Sequence, residues 1–325
     1  MAGAPDDTVI LRPGQPRRRQ WFIAAAGAVL VVAGLAAGGW WLLERQPAAP
    51  AAPPSVAQAY DPIEPASEAA IRAESPAART VLRFAMNPAV VVIDFPTLAE
   101  QGRMFNRLAA WEEKAGVSHD QVPDEPIMAA AIAASGATAD TYYYGHDYSG
   151  AAVKQFFALA AEEHKALRPE EEDLRRIAAR AMAEPAGFGA VVTVVRADAA
   201  NGVSPQARAT ILHHELSHGE YFTKPAYAAF VKSFWENTLT SDERAAFRSY
   251  LAAEGYDPAL EDLMRNETQA YLMHTPDPVF FEPGRLAILP GRLAQIRAAF
   301  LAGMPAGWLR DAVVASGIVP PEPAK

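Results

Sequence analysis

Ser204-Pro205-Gln206-Ala207-Arg208-Ala209-Thr210-Ile211-Leu212-His213-His214-Glu215-Leu216-Ser217-His218-Gly219 is the stretch on which the reading of this chain turns. Ser204 can accept a hydrogen bond from a free first-turn N–H, and Pro205 suits the fixed φ of that turn, so a helix starts here. Gly219 offers a place for it to stop. His214 and His218 are four apart, so their imidazoles project from one face with Cβ atoms about 6 Å apart. Two nitrogens so placed suit neighbouring positions of a tetrahedral zinc ion at about 2.0–2.1 Å each. Glu215 lies beside His214, where it can reach a water on the ion without being a ligand. His213 points about 100° away and reads as a surface or packing residue.

A catalytic zinc takes a third protein ligand and leaves its fourth position to water. The downstream candidates sit on a helix that Asp257-Pro258 opens and that runs to about residue 273, carrying Asn266-Glu267-Thr268-Gln269-Ala270-Tyr271. Two intervening helices, at about 225–237 and 242–254, can bring it back beside the first. Glu267 and His274 are the rival third ligands, and Tyr271 and His274 share a face with Glu267 at i+4 and i+7. Asp242 and Glu243 are acidic residues at a helix start, where the dipole favours them anyway. Position 224 is Lys, so no histidine follows His218 at six residues.

Half of the 325 residues are hydrophobic and 21% are charged, which suits a soluble globular body with a real core. The 38 Asp and Glu against 29 Lys and Arg argue against a nucleic-acid partner. The absence of cysteine excludes disulfides, Cys-ligated zinc and a thiol nucleophile.

Residues 21–43 are uncharged and almost wholly apolar. At 1.5 Å per residue they extend about 34 Å, enough for a bilayer's hydrocarbon core. Trp21, Trp40 and Trp41 stand at the two ends, and Arg17, Arg18 and Arg19 precede the run. The expectation is a transmembrane helix at 21–43 with residues 1–20 as a cytoplasmic tail, and everything after it on the periplasmic or outer side. The run is too long for an ordinary signal-peptide core. Residues 44–79, rich in Pro and Ala, read as an extended tether.

The globular part, 80–325, is expected to be α+β and helix-rich, with a small sheet in its first half and a helical second half. Val90-Val91-Val92-Ile93 reads as a buried strand, and Thr97 as the start of a helix stopped by Gly116. Further helices are expected at about 124–135, 151–167 and 169–182, and strands at 141–144 and 190–195. Gly145-His146-Asp147-Tyr148 is a polar and aromatic loop that either lines a cleft or is a plain turn.

His214-Glu215-x-x-His218 with a later Asn266-Glu267-x-x-Ala270 resembles the gluzincin group of zinc metallopeptidases, which includes thermolysin-like and neprilysin-like enzymes. The resemblance covers these two stretches only. It implies a zincin-like catalytic domain, one zinc ion, Glu267 as third ligand and a peptide or protein substrate. Glu215 would then draw a proton from a zinc-bound water and pass it to the leaving amine. Tyr271 or His274 would steady the oxyanion, and the strand at 191–195 would be the edge that pairs with substrate, unless it lies inside the sheet. In that group an aspartate often follows the ligand glutamate by four residues and orients the first histidine; Tyr271 stands there instead. The expected function is a membrane-anchored zinc metallopeptidase. Its alternatives are a zinc-containing domain that binds envelope peptides or proteins without hydrolysis, and a zinc amidohydrolase acting on a non-protein amide. A base beside an open zinc position argues against the first of these.

Overall fold

Two strands rich in β-branched residues, Val90–Phe95 and Ala190–Val195, are buried at every position and pair in parallel, Val90 opposite Ala190. Continuous apolar strands of this kind need cover on both faces, and they have it. The structure, a computed structural model, describes residues 61–319. The expected cytoplasmic tail, membrane helix and first part of the tether lie outside the described residues. Among the described residues no helix is long and apolar enough to cross a membrane.

In chain order the first half contains β1 (Pro65–Ala66), α1 (Glu68–Ala73), β2 (Thr80–Phe84), β3 (Val90–Phe95), α2 (Leu98–Glu113), α3 (Glu125–Ser135), β4 (Asp147–Ser149), α4 (Gly150–Glu162), α5 (Pro169–Ala183) and β5 (Ala190–Val195). The second half is helical: α6 (Pro205–Thr223), α7 (Pro225–Asn237), α8 (Ser241–Ala253), α9 (Glu261–His274), α10 (Pro290–Gly303) and α11 (Trp308–Ser316). The fold is therefore α+β and helix-rich, around a small mixed sheet of order β1-β2-β3-β5-β4.

Strand alternation divides the core. Val91, Ile93, Phe95, Val191 and Val195 pack with apolar residues of α2, α4 and α5. Val90, Val92, Val192 and Val194 face the other way and meet Leu212 and Leu216 of α6. A separate cluster built on Trp235, Phe247, Leu272, Phe281 and Phe300 holds the later helices together.

Several boundaries differ from those read in the sequence. The folded body starts before Thr80: Ser67 caps α1, whose Ile71 is fully buried, and β1 pairs with β2. Pro- and Ala-rich composition hid these short elements, because a single buried isoleucine per turn leaves little periodicity. Residues 141–144 are not a strand; the pairing segment is β4, three residues further on. It takes the sheet's edge, so β5 is an interior strand between β3 and β4 and not the edge. Helix α4 ends at Glu162, short of 167, and α9 begins at Glu261, after the turn at Asp257. Helix α6 runs on past Gly219 to Thr223. Gly219 serves close approach instead: a Cβ there would stand 3.0 Å from both methyls of Val90.

Candidate metal centre

Helix α6 is fixed to the sheet before it reaches His214. Arg208, 1% exposed, grips Asp94 of β3 with two nitrogens at 2.9 and 2.7 Å, and also donates to the carbonyls of Val195 and Ile71. Such a bidentate pair sets direction as well as distance. The same helix rests on β5, β4 and α9, which supply the rest of the site.

His214 and His218 of α6 turn their Nε2 atoms toward one another, 3.0 Å apart. Glu267 of α9 faces both, with one carboxylate oxygen 3.9 Å from His214 Nε2 and the other 3.8 Å from His218 Nε2. Ligands of a tetrahedral zinc stand about 3.3 Å apart, given bonds of about 2.0–2.1 Å. The three expected ligands thus come together from two helices 49 residues apart in sequence. Glu267 Oε2 and Glu215 Oε2 are buried without a hydrogen-bond partner, as a cation or water site between them requires.

The histidine tautomer follows from its neighbour. The Thr275 hydroxyl donates to the Ala270 carbonyl at 2.9 Å and stands 2.7 Å from His214 Nδ1. With its proton committed, the hydroxyl accepts from Nδ1–H, which leaves the Nε2 lone pair free for a metal. Thr275 therefore holds His214 where Tyr271 cannot. Tyr271 packs its ring edge-on against His214, with centroids 5.0 Å apart. On the second histidine, Nδ1 faces Asp147 Oδ1 at 3.7 Å. Asp147, Glu215 and His218 form a second close group beside the first.

Four carboxylates crowd this neighbourhood: Glu113, Glu215 and Glu267 are buried and Asp147 is partly buried. Burial pushes Glu215 up to about 8, opposed by Asp147 and helped by the charge of Glu113. Burial raises Glu113 to about 7, and lifts Asp147 and Glu267 well above the carboxylate range, with repulsion among the four adding to it. Burial also drives His214 well down and His218 to about 4, so both rings are neutral, the form that binds metal. Neutral imidazoles and crowded carboxylates around one point are the donor set of a divalent cation with borderline softness, and zinc fits it.

A cavity of about 710 Å³ opens onto this point, with His214, Glu215, Tyr271 and Thr275 in its wall. Gly145 shapes the near side: a Cβ there would lie 2.1 Å from Glu215 Oε1, so only glycine leaves the carboxylate its place. His274 is brought elsewhere. It is fully buried between His213 and Tyr227, at 3.4 and 3.3 Å, and it is not in the cavity wall. His213 reaches on to Glu68 of α1 at 3.1 Å, so it is neither a ligand nor a free surface residue.

The sequence did not single out Thr275, Asp147, Glu113 or the cavity residues Lys114, Tyr143 and Tyr256. Asp147 carried a trace of signal in the polar loop before α4; the others lie far from the motif and only folding brings them close. Comparison with family models, with curated proteins and with solved structures found no match to this chain.

Proposed function

We propose that this protein is a zinc-dependent metallopeptidase of zincin-like architecture, anchored to a membrane by residues 21–43 with its catalytic domain on the extracytoplasmic side. The observation that carries the reading is the convergence of His214, His218 and Glu267 while Glu215 stays out of that set, buried beside the cavity with an unpartnered oxygen. A purely structural site has no use for such a base. The anchor rests on the sequence alone.

A zinc ion held by His214, His218 and Glu267 would supply Lewis acidity, polarising the scissile carbonyl and acidifying a water at its open position. Glu215 takes a proton from the attacking water and returns it to the leaving amine. Gly145 leaves it the space it occupies and Asp147 hydrogen-bonds to it, so the base keeps its position. Thr275 holds the imidazole of His214. Of the two expected oxyanion donors, Tyr271 is the one in the cavity wall, and the role falls to it.

The test is metal analysis and peptide-library cleavage by the full-length protein, native against Glu215→Gln. Equal zinc with turnover lost in the variant is expected. Full activity in Glu215→Gln would overturn the mechanism, and wild-type protein without stoichiometric zinc would overturn the site. Cleavage of non-peptide amides alone would move the assignment to the amidohydrolase reading.

A further inference from the structure

Lys114 follows directly on α2, and its side chain stands in the wall of the same cavity. Its Nζ lies 4.5 Å from the ring centre of Tyr143, 5.1 Å from that of Tyr142 and 5.5 Å from that of Tyr256. Aromatic faces hold an ammonium weakly compared with water, so a lysine drawn this far inward ordinarily finds a counter-ion. Here it has none of its own. Burial lowers its pKa, and the charges of Glu113, Glu267 and Glu254 oppose that shift. Glu254 is paired with Arg285 at 2.6 Å, Glu113 faces the hydroxyls of Tyr148 and Tyr143, and Glu267 belongs to the metal set. Among the described residues no carboxylate lies within ion-pair distance of Lys114 Nζ.

The position is built and not incidental. The Asp257 amide donates to the Glu113 carbonyl at 2.8 Å, and Lys114 bridges to Tyr256, which stitches the end of α2 to the turn before α9. Gly255 in that turn has φ +94°, and a Cβ on it would approach Lys114 Nζ to 3.2 Å. Glycine there keeps the space beside the ammonium open. Beyond Lys114 the wall is small and apolar, with Val117, Ala130, Ala131 and Ala134. One cation among tyrosines and alanines suits a ligand that is apolar except for a single carboxylate.

We propose that Lys114 is the carboxylate-binding point of the cavity, and that the protein selects ligands bearing a carboxylate within reach of it. Taken with the peptidase reading, on which the word substrate rests, the carboxylate is either the free C-terminus of a peptide or an Asp or Glu side chain near the scissile bond. The ammonium then gains the counter-ion that the fold withholds from it, and the tyrosines close around the pair.

The experiment measures binding apart from turnover. Zinc-loaded full-length Glu215→Gln protein is titrated calorimetrically with an N-acetylated tetra-alanyl-leucine peptide as free acid and as carboxamide. A third and a fourth probe are carboxamides with aspartate or asparagine in place of one alanine. We expect one of the acidic probes to bind at least tenfold more tightly than its neutral partner. The preference should fall to about one in Lys114→Gln and persist in Lys114→Arg, with circular dichroism unchanged. A preference for the free acid identifies the terminus as the source; a preference for aspartate identifies the side chain. Equal binding of acid and neutral probes, or a preference that survives Lys114→Gln, overturns the inference. If wild-type protein cleaves none of the peptides yet binds as expected, the carboxylate point stands and the peptidase reading fails. If the wild type cleaves peptides but neither acidic probe is preferred, the peptidase reading stands and the carboxylate point fails.

Discussion

The hydroxyl of Thr275 lies 2.7 Å from Nδ1 of His214, and its own proton is given to the Ala270 carbonyl. This fixes the imidazole tautomer with a residue eight positions after Glu267, one turn beyond Tyr271. Partners of this kind around a metal ligand are worth 10–100-fold in affinity or activity. Thr275→Val, which keeps the shape and removes the acceptor, should weaken zinc binding by roughly that factor, while Thr275→Ser should stay near the wild type. Competition with a chromophoric chelator reads both. Wild-type affinity in the valine variant would show that packing alone holds His214.

Zinc binding should release protons. Without metal, Glu215 has its pKa raised from 4.5 to about 8, and Asp147 and Glu267 are raised as well. At neutral pH these groups hold protons that a divalent cation displaces. Calorimetry in buffers of different ionisation enthalpy should find at least about one proton released per zinc at pH 7. Zinc uptake with no proton release would contradict the buried-acid description.

The same groups set how stability depends on pH. A carboxyl raised on folding favours the folded state most below its unfolded pKa, and that contribution is lost as pH climbs through the folded value. For Glu215 the window runs from about 4.5 to about 8. Below about pH 6.5 the buried His214 and His218, whose pKa values folding lowers, add the opposite slope. Metal-free protein should therefore melt at progressively lower temperature from about pH 6.5 to about 8, and zinc-loaded protein should fall much less. Thermal melts at several pH values, with and without zinc, decide this.

The Asp94–Arg208 pair anchors the metal helix, with both side chains 1% exposed. Arg208→Met strands a buried carboxylate, and breaking such a pair costs about 3–5 kcal/mol. The double variant Asp94→Leu, Arg208→Met should recover most of that loss, because it leaves no charge behind. Urea unfolding of the three proteins tests the comparison; equal stability of single and double variants would argue that the bond to the Ile71 carbonyl matters more.

Gly145→Ala should separate chemistry from metal binding. The new methyl collides with the Glu215 carboxylate and touches no ligand atom at comparable range. A base displaced by about 1 Å can cost on the order of 100-fold in rate. Zinc content should stay stoichiometric while kcat drops by that order. Unchanged kcat would mean that Glu215 finds an equivalent position.

The metal helix and its two histidines were legible because spacing of four on a capped helix is a local property. The buried strands were legible because consecutive β-branched residues, Val90 to Ile93 and Val191 to Val195, have few other uses. Glu267 could be named as a candidate, but its approach to His214 depends on how α7 and α8 fold back, which spacing does not encode. Thr275 was out of reach for the same reason, whereas Asp147 was visible only as part of the polar loop that either lined a cleft or was a plain turn. His274 shows the converse: it shares a helix and a face with Glu267, yet two turns further along, at the helix's last residue, it meets Tyr227 and His213 and not the cavity. Gly219 misled because one glycine can end a helix or let it press on a sheet, and the sequence looks alike in both cases.

The short helix α1 bears on how this protein can be divided. Its Glu68 holds His213, its Ile71 carbonyl receives Arg208, and both partners lie on the helix that carries the metal ligands. Composition invites a cut at Thr80, after the prolines thin out. A fragment made there would lack the back wall of its own metal helix, so soluble forms for crystallisation or assay should begin upstream of Ile63.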